Sequence, residues 1–168
     1  MIKNYLNFQK KNKIKFKNQK LLKIALTHKS YDPINNNEKI EFLGDRVLGL
    51  VIAKKLLEIY PDEKEGILDK KFASLVNKKT CLLIANNLSI EDFILILNSK
   101  KKSKIQDKVL ADTCEAIIGA IYLDKGFNVV EKFILDLWQD QIDKSKVTQI
   151  DSKTQLQEYS LKVYKKLP

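Results

Sequence analysis

Residues 38–50 read EKIEFLGDRVLGL, and residues 109–123 read VLADTCEAIIGAIYL. Apolar residues recur in both at helical spacing, without the strict alternation of a half-buried strand. Each stretch holds two carboxylates among apolar neighbours: Glu41 and Asp45 in the first, Asp112 and Glu115 in the second. The spacings, i to i+4 and i to i+3, put each pair on one helix face with Cβ atoms about 5–6 Å apart. Glu38 extends the first stripe, while Ile40, Leu43, Val47, Leu50 and Val51 fall mostly on the opposite side. On the second helix Asp112, Glu115 and Gly119 share a stripe, and Leu110, Ile117 and Ile121 lie away from it.

Working outward, the rest of the chain is also helical, so an all-α fold is predicted. Five Gly and three Pro punctuate it sparsely. Helices are expected near residues 3–11, 18–28, 38–59, 67–76, 78–87, 106–124 and 127–143. Asp32-Pro33 and the polar run Asn35 to Asn37 precede the first acidic helix and offer it an N-cap. NSKKKSK, residues 98–104, is a charged loop, either a solvated turn or a phosphate contact. Residues 144–150 read as a linker, and 151–163 as a further amphipathic helix.

At 168 residues the chain has room for one domain and a fragment of another. No apolar run approaches the ~18–20 residues of a membrane span. The N-terminal MIKNYLNFQKKNKIKF lacks the apolar core and cleavage site of a secretion signal. Cys81 and Cys114, each beside apolar residues, read as small buried hydrophobes. A reducing, cytoplasmic setting without a membrane partner is expected. The net charge of +10 suggests an anionic partner, nucleic acid first. Of the 31 basic residues only Arg46 is arginine, and such lysine bias also follows from coding-DNA base composition. Charge alone therefore does not decide the partner.

Carboxylates clustered among apolar neighbours repel one another and lose hydration, which is costly without a cation. An all-oxygen set suits a hard divalent ion, Mg²⁺ with Mn²⁺ as substitute. The pattern points to a metal-dependent enzyme acting on phosphates. Converging acids would hold one or two ions that activate a water and offset charge on a phosphodiester's leaving oxygen. The competing reading makes each pair the wet face of an amphipathic helix. Against it, no lysine stands at i+4 from these acids, whereas residues 62–71 mix both signs. Gly44 and Gly119 lie beside the acidic stripes. Glycine costs a helix about 1 kcal/mol, so a close approach of the two helices, or of a substrate backbone, is expected there. His28 reads as a hydrogen-bonded packing residue, and no Cys/His or Ser/His/Asp grouping, P-loop or zinc spacing offers another nucleophile.

EKIEFLGDRVLGL closely resembles the signature segment of bacterial ribonuclease III, and LADTCEAIIGAIYLDKG the second acidic motif of that family. ALTHKSY (25–31), YPDEKEG (60–66) and LVNKKT (75–80) resemble it in the expected order. The resemblance implies a helical endonuclease domain over residues 1–143. It implies a homodimer cutting double-stranded RNA, ribosomal RNA precursors included, to leave 5′-phosphate and 3′-hydroxyl ends. Glu41, Asp45, Asp112 and Glu115 carry over as Mg²⁺ ligands, with Asp45 and Glu115 the most essential for catalysis. Glu38 and Glu65 take supporting roles. Residues 151–168 resemble the opening of a double-stranded-RNA-binding domain and end where its sheet begins. Thr154, Gln157 and Glu158 match its RNA-contacting positions.

Two departures stand out. Arg46 replaces the small residue usual after the aspartate, and is expected to point outward. NSKKKSK replaces the usual Gly-Glu and paired glycines before the second motif. The alternatives are a non-catalytic RNA-binding relative of the same fold, and a helical metal phosphohydrolase acting on small nucleotides.

Overall fold

From Leu110 to Ile121 every residue of helix α6 (Asp107–Lys125) is buried except Asp112 and Glu115. A helix apolar on all sides belongs in the middle of a core. Here α2 (Gln19–Ala25), α3 (Glu38–Ile59), α5 (Lys78–Asn87) and α7 (Phe127–Ser145) pack around it. The outer helices α1 (Ile2–Lys11) and α4 (Glu65–Val76) complete the all-α arrangement. This is a computed structural model that describes residues 2–97, 105–145, 160 and 162–166. The loop at 98–104, residues 146–150 and Thr154, Gln157 and Glu158 lie outside the described residues; Ser160 and 162–164 are helical, as expected for the tail.

The packing follows from simple stripes. Val130, Ile134, Trp138 and Ile142 recur every fourth residue along α7 and are all buried. The Trp138 indole donates to the Leu75 carbonyl at 2.9 Å, which ties α7 to α4. Gly126, with φ +80°, ends α6 in a backbone region that side chains disfavour. The division of α4 from α5 falls at Asn77, as expected: its backbone is extended and its side chain accepts from Thr80 N at 2.9 Å.

Several boundaries differ from the sequence reading, α4 starting at Glu65 rather than 67 among them. α2 stops at Ala25 rather than near 28, because Thr27 forms a parallel bridge with Leu95. His28 N donates to Leu95 O at 2.9 Å, and Leu95 N to Leu26 O at 2.7 Å. A pairing partner about seventy residues away thus outcompetes local helix propensity. α7 runs on to Ser145, two residues past the expected end, where the buried Lys71 ammonium donates to the Ser145 carbonyl at 2.6 Å. Lysine at a helix C-terminus satisfies a free carbonyl and opposes the helix dipole. Residues 90–92 add a short 3-10 turn. No helix among the described residues is long and apolar enough to cross a membrane.

Candidate active site

The site begins at the crossing of α3 and α6. A Cβ on Gly44 would stand 1.8 Å from the Glu115 carbonyl oxygen, and one on Gly119 would stand 2.3 Å from the Ile40 carbonyl oxygen. The two glycines therefore let backbone lie directly on backbone. Of the two reasons expected for them, the helix approach is the one observed. The contact sets the Glu115 backbone against Gly44, between Glu41 and Asp45 in sequence. The two acid-bearing helices thereby lie against each other along one crossing.

The entry of α3 is secured by asparagines. Asn37 is buried and donates to Thr113 Oγ1 on α6 at 3.4 Å, while Thr113 donates to Val109 O. Asn37 makes no side-chain cap; Asn36 Oδ1 accepts from Glu38 N at 3.1 Å instead. A cavity of about 360 Å³ opens in front, lined by Glu41 and Asp112 with Glu38, His28, Lys29 and Lys108. Asp45 and Glu115 lie outside its lining.

The electrostatics couple the two helices. Burial, and then the Asp112 charge, raise the Glu41 carboxyl above its usual range. Burial, and then Asp45, push Glu115 up to about 7. Carboxylates that lift one another in a half-buried seam are poised to take up protons or a cation. Cys81 Sγ on α5 stands 3.6 Å from Glu115 Oε1 and donates to it. Burial and that neighbouring acid hold the thiol well above its ordinary value. The two cysteines are free and buried, as expected. The tie of Cys81 to Glu115 was not foreseen; nothing in LVNKKT signals it, because α5 meets α6 only in the fold.

The expectation that these acids lack lysine partners fails. Lys108, four residues before Asp112, reaches its Oδ2 at 2.5 Å. The sequence reading looked one turn onward from the acids, and this partner sits one turn back. Lys29 holds Glu38 at 2.7 Å and keeps that exposed carboxyl below its usual range. Arg46 is exposed and lies over the Phe42 ring at 4.4 Å, as an outward direction requires, yet its guanidinium also bonds Asp45 Oδ2. His28 is hydrogen-bonded as read, Nδ1 meeting Ser30 Oγ at 2.9 Å, but it lines the acidic cavity rather than the core, and burial holds the imidazole below its ordinary value. Glu65 is exposed in the first turn of α4 and does not line the acidic cavity.

The side chains do not converge as the backbones do. Among the described residues, no group of three or more His, Cys, Asp or Glu could hold a metal ion. The donor chemistry nevertheless fits a hard divalent cation. All four groups are carboxylates, Glu41 and Glu115 are raised by burial and by neighbouring acids, and Lys108 and Arg46 bring cations to the other two.

The family model described as ribonuclease-III-like matches residues 18–142, from the start of α2 to the end of the core. The chain belongs to the ribonuclease III family. Ribonuclease 3 of Pelagibacter ubique is 66% identical over 166 residues, covering 98% of this chain and 75% of that protein. Ribonuclease 3 of Clostridium tetani is 43% identical over 160 residues. A solved nuclease domain of ribonuclease III from Campylobacter jejuni superposes with a TM-score of 0.74 at 41% identity, over 82% of this chain and 95% of that one. Dicer from Pichia stipitis, at 23% identity and a TM-score of 0.62, shares the fold. This member of the family is an endoribonuclease, which sets the non-catalytic alternative aside.

Proposed function

We propose that this ribonuclease III hydrolyses phosphodiester bonds of double-stranded RNA as a homodimer. Precursors of ribosomal RNA would be among its substrates, and the ends left are 5′-phosphate and 3′-hydroxyl. The observation that supports the reading is the Gly44–Gly119 contact, which sets the two acid-bearing helices backbone against backbone. Glu41, Asp45, Asp112 and Glu115 would hold Mg²⁺, or Mn²⁺ in its place. The ion supplies Lewis-acid activation of water and offsets charge on the leaving oxygen. The chain's own residues do the rest. Asp45 and Glu115, the essential pair, must be deprotonated to ligate. Lys108 and Arg46 occupy Asp112 and Asp45 and must swing away, which leaves them free to meet RNA phosphates. Glu38 and Glu65 support the site, and Thr154, Gln157 and Glu158 of the tail would contact the duplex. A cytoplasmic location suits two buried, free cysteines.

The homodimer draws support from α3. Phe42, Leu50 and Leu57 stand 63%, 58% and 59% exposed along it. Leu50 shares the side opposite the acids with Val47 and Val51, but it faces out while they are buried. Exposed apolar residues aligned on one helix suit a second protein surface. The Campylobacter nuclease domain has a region involved in dimer formation.

Glu115→Gln tests the site. It removes a charge without changing size, so the fold should persist while duplex cleavage in Mg²⁺ falls at least about 100-fold. Unchanged cleavage would remove the proposed role.

A further inference from the structure

Residues 1–31 contain nine lysines and not one Asp or Glu. Nine of the 31 basic residues stand there, leaving 22 against all 21 acids in the rest of the chain. Almost the whole net charge of +10 therefore belongs to this segment. Base-composition bias raises lysine throughout a chain; it does not strip the acids from one end.

The fold presents this charge on a built surface. Between α1 and α2, Ile14 and Phe16 are buried while Lys13, Lys15 and Lys17 are exposed. Burial alternating with a period of two puts Lys15 and Lys17 on the same side, about 6–7 Å apart. The loop is held at several points. The Asp124 carboxylate, 2% exposed, accepts from Lys17 N and Asn18 N at 2.8 Å each. Gln9 Oε1 accepts from Phe16 N at 2.8 Å, and Asn12 Nδ2 donates to Leu88 O at 3.2 Å. Lys13 sits at φ 52°, a left-handed position that glycine would occupy without strain. Strain of this kind persists only where the surroundings enforce it.

Lys20 and Lys23 continue the charge along α2, beside a cavity of about 270 Å³ that they line with Thr27, Tyr31 and the Asp32 carboxylate. Lys29, next in line, borders the acidic cavity. Lys13, Lys15, Lys17, Lys20 and Lys23 form no ion pair among the described residues. The track runs alongside α6, from its Asp124 end towards its Asp112 end. Those two residues are twelve apart, or about 18 Å along the helix.

We propose that Lys13, Lys15, Lys17, Lys20 and Lys23 form a second phosphate-contact surface that grips the backbone of the RNA duplex beside the segment being cut. The proposal rests on the double-stranded-RNA reading above. A lysine comb suits sequence-independent neutralisation of phosphates. An anionic membrane would need a broad apolar face on α1; Phe8 is spent in the core, its ring edge-on to Phe93 at 5.3 Å, and Leu6 is the one large hydrophobic exposed on that helix among the described residues.

The test uses the full chain and an RNA duplex longer than one turn, with binding measured over a salt series without divalent ions. Lys13→Gln/Lys15→Gln/Lys17→Gln should reduce the slope of log K against log[salt] by about 2–3 and weaken binding at least tenfold near 0.1 M salt. In Mg²⁺, KM should rise while kcat at saturating RNA holds. The triple Lys→Arg variant should keep the wild-type slope. Should the triple Gln variant fold poorly, Lys15→Gln and Lys17→Gln singly should each remove a little under one unit. An unchanged slope overturns the proposal even if the enzyme cleaves normally. A lowered slope in a chain that cuts no duplex sinks the cleavage reading and leaves this surface standing. A wild type that does not bind duplex RNA sinks both. If the substitutions abolish binding to phosphatidylserine vesicles but leave RNA binding intact, the surface belongs to a membrane and the proposal falls.

Discussion

Glu115 concentrates the conflict between folding and function in one carboxyl. Its pKa is about 7 in the fold against a usual 4.5. The folded state therefore holds a proton that the unfolded chain has released between those values, so stability falls as pH rises. The contribution is fully present below about 4.5 and is lost as pH climbs through about 7. Glu41 is shifted the same way. Allowing for the solvent at its edge, the loss for Glu115 is on the order of 1–2 kcal/mol. Metal-free protein melted across pH 5 to 8 should lose several degrees of Tm, and Mg²⁺ should restore more of it at pH 8 than at pH 5. A flat Tm profile would mean that Glu115 is not held protonated. The four acids could be read from spacing because i+3 and i+4 neighbours share a face in any helix. Cys81 could not, since its contact with Glu115 exists only once α5 meets α6.

At the scale of elements, the α3–α6 crossing depends on two absent side chains. Gly44→Ala puts a methyl 1.8 Å from the Glu115 carbonyl oxygen, a backbone atom that cannot turn aside. The helices must separate, so destabilisation of at least about 3 kcal/mol is expected, with loss of the seam. Gly66→Ala makes the opposite case. No atom lies within 4 Å of its added Cβ, at the exposed start of α4. It should raise stability by about 0.5–1 kcal/mol. Urea titration of both variants compares the two glycines directly; equal effects would refute the packing account. The wheel marked Gly44 and Gly119 as needing a close neighbour, but could not choose between a helix and a substrate. α2 shows the other limit: its residues 26–28 look helical in isolation and are taken by Leu95.

Over the whole molecule, Phe42, Leu50 and Leu57 leave α3 with a largely exposed apolar face, touched by Arg46 at Phe42. Leu50→Glu places a charge on it without touching the carboxylates. Sedimentation at micromolar concentration should show the wild type as a dimer and this variant as a monomer, with duplex cutting reduced to nicking of one strand. A monomeric wild type would remove the dimer from the functional reading. The wheel put Leu50 opposite the acids, together with the buried Val47 and Val51. On such a helix the sequence does not distinguish a face buried by its own chain from one left for another.

What the sequence determined by itself was the helical class, the order of the elements and the four acids on two core helices. All of that depends on periodicity and spacing, which act within a few turns of chain. Tertiary structure alone decided that Gly44 meets Gly119, that Cys81 reaches Glu115, and that Asp124 anchors the lysine loop. Those contacts join residues 34 to 107 positions apart, or helices wrapped on different sides of α6. No local rule reaches that far, because which surfaces touch is settled by packing the whole core at once.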